Sequence, residues 1–315
     1  MSAKERPSSR RGSRILNLVL LVAVNLMWAA QYPAYKVASD HMDDVTLNFW
    51  TFLLAALFLI PFRVRSGRPR TPFSWSICGD FLVLAIFGLL PPSVCLSWGI
   101  AHSSASNASL ISLTIPVLMV IMAVIMLGEH MTPLRWISIS AALLGTLVIS
   151  RISVDRSFFA SKLLAGNVVI FLAGAGSAFY NAFGKKLLAR FSEMEVLIYG
   201  YVFACAACGA LSAAFGARPF YRVTGYPFSA WLGILVLGGL SWGLAMALWM
   251  WVLNQLDLSQ ISASVYLLPL FGVILSAMTL HEKLTLVQIF GGLIVLFATY
   301  LTSTFEDRRR RQTQV

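Results

Sequence analysis

Apolar residues come in long runs, broken by short polar stretches, along almost the whole chain. The first run extends from Ile15 to Val37; others follow at approximately 45–62, 77–98, 106–127, 133–150, 163–184, 195–215, 229–253, 258–280 and 286–304. A helix rises about 1.5 Å per residue, so about 20 apolar residues cross the hydrocarbon of a bilayer. The pattern predicts an all-α membrane protein of ten transmembrane helices, numbered here as spans 1 to 10. It leaves no room for a soluble domain of any size. Local start signals agree with the runs. Thr132-Pro133 supplies an N-cap hydroxyl and then a proline at the first helical position, where a missing N–H costs nothing. Thr285 holds the same cap position later in the chain.

The pattern is also stated twice. Residues 98–132 lie on residues 251–285 at an offset of 153 without a gap, and nine of the 35 columns are identical. The matches are Trp98/Trp251, Ser106/Ser259, Ser109/Ser262, Pro116/Pro269, Val120/Val273, Ile121/Ile274, Leu127/Leu280, Glu129/Glu282 and Thr132/Thr285. Shared apolar composition does not readily place Trp, Pro, Glu and Thr in one register. This is an internal repeat. It divides the chain into residues 15–150 (spans 1–5) and 163–304 (spans 6–10), flanked by basic tails at 1–14 and 305–315. The stretch from Trp28 through Gln31 and Tyr32 to Lys36 in span 1 can also be laid, more weakly, beside Ser177 through Tyr180 and Asn181 to Lys185 in span 6.

Charge then fixes the orientation. The chain is 58% hydrophobic and 12% charged, about half the charge of a soluble domain. Its net +11 does not point to nucleic acid, because the basic residues lie in tails and short loops. With both tails on one side, that side holds 17 of the 24 Lys and Arg: five in the N-terminal tail, four in Arg63–Arg70, Arg135, three in Lys185–Arg190, and Arg308–Arg311. The positive-inside rule therefore places both termini in the cytoplasm of a multi-pass plasma-membrane protein. Each half has an odd number of spans, so the second enters the membrane from the opposite side. Inverted-topology repeats recur in secondary transporters, whose site lies near midplane between the halves.

The half-unit has a Trp followed eight residues on by Lys, then Ser, Ser, Pro, Glu and Thr at the spacings above. This resembles the EamA-type repeat of the drug/metabolite transporter superfamily, in two copies covering nearly the whole chain. The resemblance implies a ten-helix bundle of two inverted five-helix units and a secondary carrier of small organic molecules, often an exporter. It also implies that spans 1, 3, 4, 6, 8 and 9 surround a central cavity, with 5 and 10 further out. The chain departs from the pattern at Asn48-Phe-Trp-Thr51, where an arginine often stands. Ser177 takes the place that Trp28 has in span 1, and Pro91-Pro92 aligns with Leu244-Ala245.

Trp28, Gln31, Tyr32, Asn107, Ser109, Tyr180, Asn181, Asn254 and Tyr266 are the candidates to line that cavity. A polar group left in lipid costs several kcal/mol, so these must face protein or water. Hydrogen bonding between helices would serve each of them as well as substrate contact. Pro116 and Pro269 free backbone carbonyls in mid-membrane and read either as packed kinks or as hinges. Glu129 lies 13 residues beyond Pro116, about 20 Å along a helix, whereas half the hydrocarbon is about 15 Å. Glu129 and Glu282 thus belong at the interface, with Thr132 and Thr285, in structural turns rather than proton coupling. Lys36 and Lys185 read as snorkelling anchors, and Trp98 and Trp251 as interfacial anchors.

Cys205-Ala-Ala-Cys208 has redox spacing but sits inside an apolar run, so neither redox chemistry nor a metal is expected. His281-Glu282 lacks the second histidine of a zinc helix, and no phosphate-binding glycine loop is visible. No cofactor follows, and transport must draw on an ion gradient, protons being one candidate, or on the solute itself. An enzyme would need a deep catalytic cluster, which the spans do not show. A passive channel or a non-transporting scaffold stays open. Small-residue faces permit a homodimer without requiring it.

Overall fold

The computed structural model describes residues 7–67, 71, 75–103, 111–150, 161–214, 225–271, 274 and 286–312. Asn107, Ser109, Glu282 and Thr285 lie outside the described residues, as do the side chains of Tyr32 and Lys36. Five described helices are long and apolar enough to cross a membrane: Asp44–Arg65, Ile77–Cys95, Leu163–Leu187, Glu193–Ala214 and Phe228–Gln255. Five shorter apolar helices, Ile15–Ala29, Ile115–Leu127, Pro133–Val148, Leu258–Phe271 and Ile289–Leu301, fall in the other expected spans. Together these are spans 1 to 10.

Capping chemistry sets several of their ends. Asp43 Oδ1 accepts the Thr46 N–H at 3.0 Å and starts span 2. Thr132 Oγ1 accepts the Arg135 N–H at 3.3 Å and starts span 5. Ser192 and Glu195 form a reciprocal capping box at span 7, with Glu195 Oε2 accepting the Ser192 N–H at 3.0 Å. Span 4 ends at Gly128, whose φ of 64° is the left-handed conformation that a glycine adopts without a Cβ clash.

The two halves pack mate against mate. Span 2 lies on span 7, span 4 on span 9 and span 5 on span 10; the contact of span 1 with span 8 is mirrored by that of span 6 with span 3. One hydrogen bond marks the axis of this relation. The Tyr266 hydroxyl donates to the carbonyl of Leu113 at 2.9 Å, and the two residues are 153 apart. That separation is the repeat offset, so Tyr266 is bonded to its own counterpart. A contact between symmetry mates can form only beside the pseudo-two-fold axis.

Irregular helix is repeated as well. Span 3 carries π-helical turns at Leu84–Leu89 and Pro91–Cys95, and span 8 carries one at Val236–Ala245. The sequences differ there, Pro91-Pro92 against Leu244-Ala245, yet both backbones widen at corresponding positions. Such bulges cluster at functional sites.

The prolines differ from expectation. Pro116 does not kink a continuous span 4. It sits in the first turn of the helix Ile115–Leu127, after a turn in which the Thr114 N–H and hydroxyl both bond the Ile111 carbonyl. A proline in a first helical turn has no partner to lose, so the chain breaks ahead of it. Span 9 repeats the device, passing from the helix Leu258–Ile261 into a 3₁₀ segment, Ser262–Tyr266, before Pro269.

Close approach of spans 3 and 6 depends on Gly176. A Cβ there would meet Pro91 Cβ at 2.6 Å and the Phe87 carbonyl oxygen at 2.9 Å. Gly176→Val is expected to destabilise the protein by about 1–3 kcal/mol through overpacking. Thermal unfolding in detergent checks this against Gly79→Val, whose Cβ position is open.

Candidate functional site

Where the halves meet, side chains of spans 1, 6 and 8 form one cluster. The Trp28 and Trp249 rings lie with centroids 5.1 Å apart and planes inclined by 52°. The Trp249 indole N–H donates to Asn181 Oδ1 at 2.6 Å, and the Asn181 amide donates in turn to the Ser177 carbonyl at 2.8 Å. Trp249 is buried and Asn181 nearly so, whereas Trp28 keeps partial exposure. The helix of span 1 is interrupted at Ala30, two residues beyond Trp28, and Gln31 opens the second segment, Gln31–Ser39, half-buried. Ala30 itself keeps right-handed helical backbone, so the interruption beside the cluster is a single residue.

A second aromatic layer continues it. Phe52 stacks on Tyr201 at 5.7 Å and meets Trp242 edge-on at 5.2 Å, while the Tyr201 hydroxyl donates to the Trp242 carbonyl at 2.6 Å. Tyr35 donates to Asn48 Oδ1 at 3.3 Å. Tyr180 is buried, and its hydroxyl meets no hydrogen-bond partner among the described residues. A buried hydroxyl without a partner loses the hydration it had in water, so a polar group arriving beside it is favoured. The Trp28–Trp249–Asn181 arrangement offers aromatic faces and one amide, all uncharged, with Tyr180 the preceding residue of span 6, packed at Gly88 of span 3.

The structure brings Trp28 and Asn181 together, with Trp249 as the link. It puts two other candidates elsewhere. Asn254 is at the face of the bundle that carries both tails, where its amide donates to Glu193 Oε1 at 2.7 Å. Tyr266 is committed to the Leu113 carbonyl at the axis. Sequence reasoning passed over Trp249, although Trp242 and Trp249 are seven residues apart and so share a helix face. Trp251, two residues further, is turned outward and exposed, as is Trp98. An apolar groove of about 330 Å³ between spans 1, 2, 7 and 8, lined by Leu20, Phe58, Leu248 and Trp251 among others, lies apart from this cluster.

At the tail face a charged cluster joins the halves. Glu129 Oε1 accepts from Lys185 Nζ at 3.2 Å and from the Leu258 N–H at 2.8 Å; Oε2 accepts from the Ser259 N–H at 2.9 Å and from its hydroxyl. Glu129 therefore caps the start of span 9, a helix of the other half, in addition to closing its own turn. Arg135 donates to Asp257 Oδ2 at 2.7 Å and to the Ser259 hydroxyl, and lies 3.8 Å from Glu129. Lys185 also donates to the Leu256 carbonyl, so it is held in the cluster and does not snorkel.

The sequence profile of the EamA-like transporter family matches residues 15–151 and 164–304. A probable terminal-alkyne amino-acid exporter of Streptantibioticus cattleyicolor is 28% identical, over 93% of this chain and 95% of its own. An uncharacterized transporter of Archaeoglobus fulgidus is 26% identical over 90% and 96%. The uncharacterized transporter YoaV of Bacillus subtilis is 22% identical over 92% and 97%. A crystallised protein at 18% identity superposes with a TM-score of 0.75, covering 91% of this chain and 98% of that one, a likeness of fold.

Proposed function

This chain belongs to the EamA-like transporter family, a family of multi-pass membrane proteins, and from that premise we propose that it is a secondary carrier exporting a small organic metabolite by alternating access. On this reading it sits in the plasma membrane with both tails in the cytoplasm, and a proton gradient drives the outward step. The observation that carries the proposal is the bond between Tyr266 and its repeat counterpart Leu113. It supports an axis about which one half can rock against the other, exchanging the accessible face.

The substrate we propose is an amino acid or a compound of that kind. One support is the relative named as a terminal-alkyne amino-acid exporter. Another is chemical. The Trp28 and Trp249 faces suit an apolar side chain and can hold an ammonium group by cation–π attraction, while Asn181 and the Tyr180 hydroxyl suit a carboxylate.

The test is metabolite profiling of the medium around cells overproducing the protein, against cells making Trp28→Ala/Gln31→Ala/Tyr32→Ala at equal membrane abundance. A solute that accumulates outside only with the native chain supports export through this site. Accumulation with both chains discards the site and keeps the exporter. No solute from either would favour a non-transporting scaffold. An uncoupler that leaves accumulation unchanged would remove the proton gradient from the proposal.

A further inference from the structure

Glu129 and Arg135 come from the first half of the chain, Lys185, Asp257 and Ser259 from the second. Two carboxylates and two cations make the cluster neutral, and the arrangement is compact. Glu129 and Arg135 are buried, and Lys185 and Asp257 keep a fifth of their side-chain surface exposed. The cluster lies at the tail-face ends of spans 4, 5, 6 and 9. Asn181, which holds Trp249, is one helical turn from Lys185 on the same face of span 6. Along span 6 the cluster therefore lies between the aromatic site and the tail face.

We propose that Glu129, with Lys185, Arg135 and Asp257, is the latch that keeps the carrier closed at its tail face. The proposal rests on the alternating-access reading. Lys185 bridges from span 6 to the end of span 4, while Glu129 holds the two leading N–H groups of span 9. Each bond crosses from one half to the other, so rocking the halves apart at this face must break them together. The geometry also suits reversal. When the face opens, water enters to solvate both carboxylates and both cations, which offsets much of the loss of their mutual attraction. A wholly apolar contact would offer no such exchange of partners. Arg63–Glu195 and Arg190–Asp80 also cross between the halves at this face, but they are single pairs on spans 2 and 3 away from the start of span 9, and Asn254–Glu193 lies within the second half.

The experiment places one cysteine at half-buried Ser177, eight residues from Lys185, or about 12 Å along span 6. The background has Cys78, Cys95, Cys205 and Cys208 replaced by alanine. A membrane-impermeant thiol reagent is applied to right-side-out and inside-out vesicles. With the latch intact, reaction from the tail face is slow. Glu129→Gln keeps an acceptor for the span 9 N–H groups but loses the charge, and Lys185→Met removes the partner. Either is expected to raise tail-face reaction by roughly tenfold and to lower reaction from the opposite face, since population gained by one state is lost by the other. Unchanged tail-face rates in both variants, with the opposite face still reactive as evidence of a folded protein, would overturn the latch and leave alternating access standing. Fast reaction from both faces in the chain with its latch intact would overturn alternating access itself.

Discussion

Trp249→Ala is expected to lower export by at least about tenfold, and Trp249→Phe to lower it by less while still leaving a defect. Alanine removes the ring that faces Trp28 at 5.1 Å and the N–H that fixes Asn181 Oδ1 at 2.6 Å, so both the apolar and the polar walls of the site lose their shape. Phenylalanine keeps a ring for Trp28 but leaves the nearly buried Asn181 oxygen without its donor, a penalty of about 1–3 kcal/mol. The indole nitrogen should therefore matter separately from the ring. Export assayed at matched membrane abundance checks both variants. Wild-type export by Trp249→Ala would remove this residue from the site. The alanine variant also leaves a cavity at a fully buried position, so its abundance must be measured with its activity.

Arg135→Ala is expected to cost about 3–5 kcal/mol of stability, the range for breaking a buried ion pair from one side. Arg135 is 1% exposed, and its guanidinium is the near partner of Asp257 at 2.7 Å; Lys185 stands 3.8 Å from that carboxylate and makes a poor substitute. The contrast is Asp80→Asn. Asp80 and Arg190 also pair at 2.8 Å, but Arg190 is 56% exposed, and a solvated pair of this kind is worth at most about 1 kcal/mol. Thermal unfolding in one detergent should separate the two variants widely. Equal shifts would mean that the tail-face cluster is solvated.

Much of this architecture can be read from one dimension. Ten apolar runs became ten helices because hydrocarbon leaves a backbone few other ways to satisfy its hydrogen bonds. The offset of 153 reappears as an atomic contact, Tyr266 on Leu113, because a repeat inserted in opposite orientations must meet itself at an axis. The site was less legible. Asn254 and Asn181 look alike in sequence, two amides near span ends, and only packing shows that one serves Glu193 and the other Trp249. Tyr266 reads in sequence as a cavity candidate, whereas in the fold its hydroxyl donates to a backbone carbonyl of the other half.

Lys185 and Glu129 show the same limit from the other side. Depth along a helix puts Glu129 at the end of span 4, next to the turn at Gly128. It cannot reveal that span 9 begins within reach, since Leu258 and Ser259 are about 130 residues further on. Nor does a count of loop charges distinguish Arg135, sealed in the bundle, from Arg190 in solvent. Trp249 was findable, because the seven-residue spacing from Trp242 puts it on the inward face, away from exposed Trp251.

The central claim is that two inverted halves exchange access to one site between them. Counterflow in proteoliposomes tests it most directly. Purified protein is reconstituted with a high internal concentration of the solute identified by profiling, and labelled solute is added outside without an ion gradient. A carrier takes up label transiently above its equilibrium level, saturates with external solute, and loses this behaviour in Trp249→Ala. Flux that rises linearly with concentration and shows no overshoot would contradict the account and make the protein a channel.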